Sequence, residues 1–402
     1  MANRLKDIMK GRMLKMKIFK DEKGSAAVYT TVTMVFLVTL LVALYSYNLS
    51  VRKAQLKEVQ GIKQIYEEEV NSVDEVYDKI AEDEEIKIAD LKGKEELDKT
   101  TPALDDNDKT VWIPKGFRVD EESSTNQDEG IVITDKEGNE FVWVPVQDPT
   151  TMFVYQTAKL SDGVTTTNKY SKLRVRSGDT FTDGIPGSSN VREPDVLTDY
   201  DDNSSYIGGL GYSDITDMAE DLLREYNEMA RSIETYHGFY IGRYELSGTE
   251  ENPTVQSGKV LTASSNNWYD MNQLCKNIIK NNTDVKSIMI YGCQWDETMS
   301  WLKNTKFSAE QGKVDSDSSS WGNYNRSPKE TGKDTTYEAN KIYDLAGNYS
   351  EWTQEATGTG GRILRGGYYN NMSTVAPASD RNYDFVTNGN AVYTTRASLI
   401  IS

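Results

Sequence analysis

Hydrophobic and polar positions change their rhythm several times along this chain, and each change marks an expected element. Residues 1–24 carry Arg4, Lys6, Lys10, Arg12, Lys15, Lys17, Lys20 and Lys23 against Asp7, Asp21 and Glu22, a basic leader. No charged residue then occurs until Arg52. The apolar stretch from Ala26 to Tyr47 would span about 33 Å as a helix, enough to cross a bilayer core. A transmembrane helix is therefore expected over residues 25–48. Its basic flank places the leader in the cytoplasm and everything after Arg52 outside.

Beyond the apolar stretch, Leu56, Val59, Ile62, Tyr66, Val70, Val73, Tyr77 and Ile80 recur at intervals of three and four among charged residues. That stripe predicts a helical stalk over 49–91. It is compatible with a self-associating coiled coil, and equally with one amphipathic helix packed on its own head. Residues 92–110 are polar, hold one proline and lack periodicity, which marks a linker.

Strand-like runs then begin a head at 111–402: Val111 to Pro114, Ile131 to Ile133, and Phe141 to Pro145. Lys136-Glu137-Gly138-Asn139 between the last two suits a hairpin turn. Residues 147–215 are rich in Ser, Thr, Gly and Asp and read as loops or an insertion. Helical spacing returns from Ser213 to Tyr236, before a strand at Phe239, and again around Tyr269 to Ile279.

Composition narrows the function. A formal charge of -18 over 402 residues argues against a nucleic-acid partner, because phosphate binding needs clustered Lys and Arg. A single histidine, His237, leaves no histidine-based metal or acid–base site, and two cysteines exclude a disulfide-stapled scaffold. Cys275 and Cys293 are either a disulfide closing a short loop or two buried free thiols.

The densest chemistry lies in Tyr343–Trp352, YDLAGNYSEW. Asp344 and Glu351 converge only if Gly347-Asn348 turns the backbone tightly, which these two residues tolerate best. Such a turn either offers carboxylates and free carbonyls to a hard cation or uses its acids to cap backbone N–H groups. The segment from Gly366 to Arg396 is crowded with Asn, Tyr, Ser, Thr and Asp. Tyr and Asn together make adaptable recognition surfaces, so Tyr368, Tyr369, Asn370, Asn371, Asp380, Asn382, Tyr383 and Asp384 are the candidate ligand contacts. Arg365 and Trp352 are expected to hold that face in place.

The YDLAGNYSEW motif, followed by Arg365-Gly366-Gly367-Tyr368-Tyr369-Asn370, resembles the formylglycine-generating enzyme (sulfatase-modifying factor) family, which writes these stretches YDMAGNVWEW and RGGSW. Gly238 to Glu245, GCQWDETMSW from Gly292 to Trp301, and Trp321 to Tyr324 are similar to further family stretches in the same order. The resemblance runs over roughly residues 110 to 402. It implies an α+β fold, a variant of the C-type lectin fold with much irregular chain, whose terminal region forms the ligand face. It also implies a structural calcium ion held by Asp344, Gly347, Tyr349 and Glu351. The family's catalytic cysteine pair has no counterpart, since no cysteine follows Cys293. The histidines of the related iron-dependent sulfoxide synthases are missing too. Neither copper nor iron is expected, and the resemblance implies a scaffold without its chemistry.

Two further resemblances bear on display and variability. Lys23-Gly24-Ser25 resembles the border of a type IV prepilin leader, with cleavage between Gly24 and Ser25, although Tyr29 stands where pilins usually carry Glu. A plain signal anchor is the other reading. Diversity-generating retroelements rewrite asparagine codons to Tyr, Ser, Thr or Asp codons in the terminal segment of proteins with this scaffold, and the residues of 368–395 are of those types. The expectation is a membrane- or pilus-anchored extracellular protein, adhesin- or receptor-like, whose non-catalytic head binds a cell-surface glycan or protein. The stalk would serve self-association or contact with pilus subunits. A structural minor pilin and an enzyme built on Cys275 and Cys293 are the alternatives.

Overall fold

The computed structural model describes residues 86–159, 165–171, 173–177, 180–184, 204–310, 313–356 and 361–402. The expected leader, transmembrane helix and Gly24–Ser25 processing site, and the stalk as far as residue 85, lie outside the described residues. Among the described residues no helix is long and apolar enough to cross a membrane. The chain divides into two units, 1–84 and 85–402, and the second is described here.

In chain order that unit runs α1 (Ile88–Leu91), β1 (Thr101–Leu104), β2 (Thr110–Ile113), β3 (Phe117–Val119), β4 (Val132–Asp135), β5 (Glu140–Pro145), α2 (Pro149–Met152), β6 (Phe153–Lys159), β7 (Thr165–Ser171), β8 (Leu173–Ser177) and β9 (Thr180–Gly184). There follow α3 (Ser204–Gly209), α4 (Ile215–Tyr236), β10 (Gly238–Gly242), β11 (Ser247–Thr249), β12 (Pro253–Thr254), β13 (Leu261–Thr262), α5 (Trp268–Lys276), β14 (Val285–Met289), α6 (Gly292–Asn304) and α7 (Lys306–Glu310). The last third holds β15 (Glu338–Ala339), β16 (Ile342–Tyr343), β17 (Ser350–Ala356), β18 (Gly361–Arg365), β19 (Arg381–Phe385), β20 (Tyr393–Thr395) and β21 (Ala397–Ile401). Helices and antiparallel sheets are intermixed, so the class is α+β, as expected.

A six-stranded sheet ordered β14-β21-β10-β5-β4-β3 organises the unit. Its central strands β5 and β10 read as apolar runs because both faces are covered. Alternation decides which side chain goes where. Phe141, Trp143 and Tyr240 enter one core; Val142, Val144, Phe239 and Ile241 enter the other. Gly238 is required by this packing, since a Cβ there would lie 2.1 Å from the Trp143 ring. Helix α4 presents Met218 and Leu222 to the first core and Tyr226, Met229, Ala230 and Ile233 to the second.

A smaller sheet, ordered β19-β18-β17-β20, carries the candidate face. Strand β20 pairs parallel with β17, and one residue later the chain becomes β21 of the large sheet. Arg396 sits at that junction, so one side chain bridges the two sheets.

Two expectations about the chain's organisation are corrected. Residues 92–110 are not a linker: β1 pairs with β2 throughout Thr101–Leu104, Lys92 bridges to Val119, and Ile88 is fully buried. The head therefore begins before residue 111. Its first strand holds too few apolar residues to show a period and is recruited by its partner. Within 147–215, expected as loops or an insertion, lie the hairpins β6–β7 and β8–β9, so the segment is not loop alone.

Candidate functional site

Residues Asp344, Gly347 and Asn348 all have positive φ, at 60°, 72° and 56°. The tight reversal expected at Gly347-Asn348 is therefore present. A Cβ on Gly347 would lie 2.3 Å from the Asn323 carbonyl oxygen, so glycine is required twice over. The turn is latched to the Arg365-Gly366-Gly367 segment, since Gly347 N–H donates to Gly366 O at 2.8 Å and Tyr369 N–H to Asn348 O at 3.0 Å.

Three buried carboxylates surround this turn. Glu351 receives Arg396 through both oxygens, Nε to Oε2 at 3.0 Å and Nη2 to Oε1 at 2.6 Å, with both side chains fully buried. Asp344 Oδ2 accepts from Thr331 Oγ1 and from Gly332 N–H, each at 2.9 Å. Glu245 accepts from Asn348 Nδ2 at 2.5 Å and from Tyr349 N–H at 3.1 Å. Burial raises the pKa of all three. Glu245 rises well above the carboxylate range, with Asp344 and Glu351 as its next causes.

In the expected calcium set, Asp344, Gly347, Tyr349 and Glu351, both acids are engaged by the protein's own groups in this arrangement. Arg396 closes both oxygens of Glu351, and Thr331 and Gly332 engage Asp344. No group of three or more His, Cys, Asp or Glu able to hold a metal occurs among the described residues. Backbone and arginine capping, the other reading of these acids, is what the geometry displays.

Arginines also hold the candidate face from beneath. Arg365 is fully buried and donates to Asp296 of α6 at 2.5 Å, while Arg381 of β19 pairs with buried Glu355 of β17 at 2.5 Å. Trp352 is fully buried and donates from Nε1 to Asn266 O at 2.9 Å. Arg365 and Trp352 thus occupy the supporting positions the sequence suggested.

The eight candidate contacts separate into two groups. Tyr368, Asn371, Asp380 and Asn382 line a recess of about 120 Å³, together with Ser350, Leu364, Gly367, Asn390, Val392 and Tyr393. Asp384 stands beside it, accepting from Tyr393 Oη at 2.8 Å and from Asn388 Nδ2 at 2.7 Å. Burial and this hydrogen bond raise the Tyr393 pKa. Tyr369, Asn370 and Tyr383 do not line the recess. Tyr369 packs edge-on against Tyr349 and Tyr368, with centroids 6.4 and 5.5 Å away. Tyr383 alternates to the opposite face of β19 from Asn382 and is 55% exposed beside Phe385 at 52%.

Sequence reasoning missed Tyr393, Asn390 and Ser350. Tyr393 and Asn390 share the Asn/Tyr-rich composition that singled out their neighbours, whereas Ser350 enters only through the β17–β20 pairing.

Strand β19 has no neighbour on its outer side among the described residues. Its outward N–H groups are covered locally: Tyr383 N–H donates to Asn382 Oδ1 at 2.9 Å and Phe385 N–H to Asp384 Oδ1 at 2.8 Å. Side-chain caps of this kind blunt an edge that would otherwise template pairing.

Cys275 and Cys293 are buried in separate cores and are not joined in a disulfide. Burial pushes the Cys275 thiol upward, away from the reactive thiolate. His237 is exposed just past α4, where its φ of 54° lets its N–H donate to Ile233 O at 2.9 Å and terminate the helix.

No protein-family model matches the sequence, and no curated protein matches it. Among solved structures, PvdO from Pseudomonas aeruginosa is similar at 11% identity and a TM-score of 0.36, over 67% of this chain and 98% of that one. The variable protein 1 of Treponema denticola is similar at 11% identity and a TM-score of 0.26, over 65% of this chain and 96% of that one. Neither likeness carries weight for fold or function.

Proposed function

We propose that residues 86–402 form a C-type-lectin-type head related to the formylglycine-generating enzyme family, and that this head binds a ligand without transforming it. One observation carries the reading: Tyr368, Asn371, Asp380 and Asn382 come from separate parts of the last segment and converge with Asn390 and Tyr393 on one recess. Loops on a rigid scaffold are the usual site of recognition, and aromatic rings beside amides suit it. Cys275 and Cys293, on which the enzyme alternative would be built, are buried and do not line the recess. On this reading the N-terminal segment anchors the head at the cell surface, directly or within a pilus. The Asn/Tyr-rich rim would also suit rewriting by a retroelement, for which the genomic mark is a near-copy repeat of the codons for 368–395.

The test is binding of the full chain to arrayed cell-surface glycans and proteins. Specific binding that is lost in Tyr368→Ala and Asn382→Ala supports the reading. A folded chain that binds nothing, or whose binding ignores both substitutions, overturns it.

A further inference from the structure

The recess can be read for the chemistry it would accept. Three asparagines stand on its rim, and each spends its Oδ1 on a backbone N–H: Asn371 on Tyr368 at 2.8 Å, Asn382 on Tyr383 at 2.9 Å and Asn390 on Val392 at 3.2 Å. Only the carbonyl end of a carboxamide can accept, so these bonds settle which way each amide points. Each Nδ2 is left as a donor pair, and none of the three meets an acceptor among the described residues. Asp380 adds a carboxylate, and no Lys or Arg among the described residues lines the recess.

A cationic ligand would bring donors to a rim already rich in them. An anion would find no positive charge and would face Asp380 and Asp384. What matches is a neutral group carrying a carbonyl acceptor and an N–H donor, in other words an amide. The buried part of the lining is Leu364, Gly367 and the small hydroxyl residue Ser350, with half-buried Val392 beside them. At about 120 Å³ the recess is well below the roughly 300–1,000 Å³ of a site for a whole drug-sized ligand. It suits a pendent group better than a through-running chain. Tyr368 and Tyr393 stand at the rim with flat faces for a ring.

We propose, resting on the recognition reading above, that this recess takes the acetamido group of a 2-acetamido sugar. The acetyl carbonyl accepts from the asparagine Nδ2 groups, the amide N–H donates to Asp380, the methyl lies on Leu364 and Val392, and the pyranose ring packs on the tyrosines.

Saturation-transfer NMR on the full chain tests this, using the methyl glycosides of N-acetylglucosamine and N-acetylgalactosamine. Methyl glucoside and N-acetylglycine amide serve as the ring-only and peptide-like amide probes. The expected result is strongest transfer to the acetyl methyl protons of at least one acetamido glycoside. Asn371→Asp and Asn390→Asp keep the Oδ1 cap while turning the donor end into an acceptor, and each should weaken binding about tenfold. Equal binding of methyl glucoside, equal or stronger binding of N-acetylglycine amide, or affinity unchanged in both Asn→Asp variants overturns the assignment. Array binding by the same chain that survives while the acetamido probes fail overturns the sugar assignment alone. Failure of both experiments overturns the recognition reading itself.

Discussion

Replacing Arg396 with methionine should be the most damaging single change near the face, because of what it leaves behind. Arg396 is fully buried and donates to both oxygens of Glu351, to Gly242 O at 2.9 Å and to Tyr343 O at 2.9 Å. Its charge also opposes the raised pKa values of Glu245, Asp344 and Glu351. Removing one partner of a buried ion pair costs about 3–5 kcal/mol, since the other charge stays behind uncompensated. Two carbonyls lose a donor as well, at about 1–3 kcal/mol each where no water replaces it. Because the terms overlap, the expected loss for Arg396→Met is roughly 4–6 kcal/mol, a large share of the 5–15 kcal/mol typical of a folded domain. Urea unfolding followed by tryptophan fluorescence reads it, with Trp143, Trp268, Trp295, Trp321 and Trp352 all fully buried as reporters. The double variant Glu351→Gln with Arg396→Met removes the stranded charge and should recover at least about 2 kcal/mol. A single variant losing less than about 1 kcal/mol, the worth of an exposed pair, would refute the reasoning. So would a double variant no more stable than the single.

Two further outcomes follow from the same cluster and from the sheet edge. Glu245, Asp344 and Glu351 have folded pKa values raised above their ordinary ones. Their contribution to stability is complete below the unfolded carboxylate pKa of about 4 and is lost as pH rises through the folded values. The thermal midpoint should therefore fall between pH 5 and pH 8 less steeply in Glu245→Gln than in the parent, and parallel curves would count against the cluster. At the edge, the double variant Asn382→Ala with Asp384→Ala bares the N–H groups of Tyr383 and Phe385 beside two exposed apolar side chains. Concentration-dependent association in sedimentation velocity is expected, and a strictly monomeric variant would show that the caps do not protect the edge.

What was legible in the sequence was local. The Gly347-Asn348 reversal could be read because only certain residues tolerate positive φ, and the strands at Phe141 and Phe239 because their apolar runs are unbroken. What was not legible depends on distant partners. The sequence offers Asp344 and Glu351 as two acids of one turn, and nothing nearby says that Arg396, 45 positions on, will take Glu351. Strand β1 was hidden for a related reason, since Thr101–Leu104 is a strand only because Thr110–Ile113 pairs with it. Tyr383 looked equivalent to Asn382 by composition, yet the two-residue period of β19 sends them to opposite faces.

The candidate face is thus held from below rather than from within. Arg365 to Asp296, Arg381 to Glu355 and Arg396 to Glu351 pin β18, β19 and the β20–β21 junction, and every acid in these pairs is at least nine-tenths buried. Buried ion pairs add little net stability compared with well-packed apolar residues, but they are intolerant of misregistration, because a shifted strand strands a charge. The rim residues Asn371, Asn382, Asn390 and Tyr368 belong to none of these pairs and bond chiefly to their own loops. Their identities can change at small cost to the fold while their positions are kept by the arginines beneath. A surface in which position is fixed and identity is free is the arrangement a recognition module needs. It would be wasteful in a domain that only spaced a filament, where neither would have to be specified.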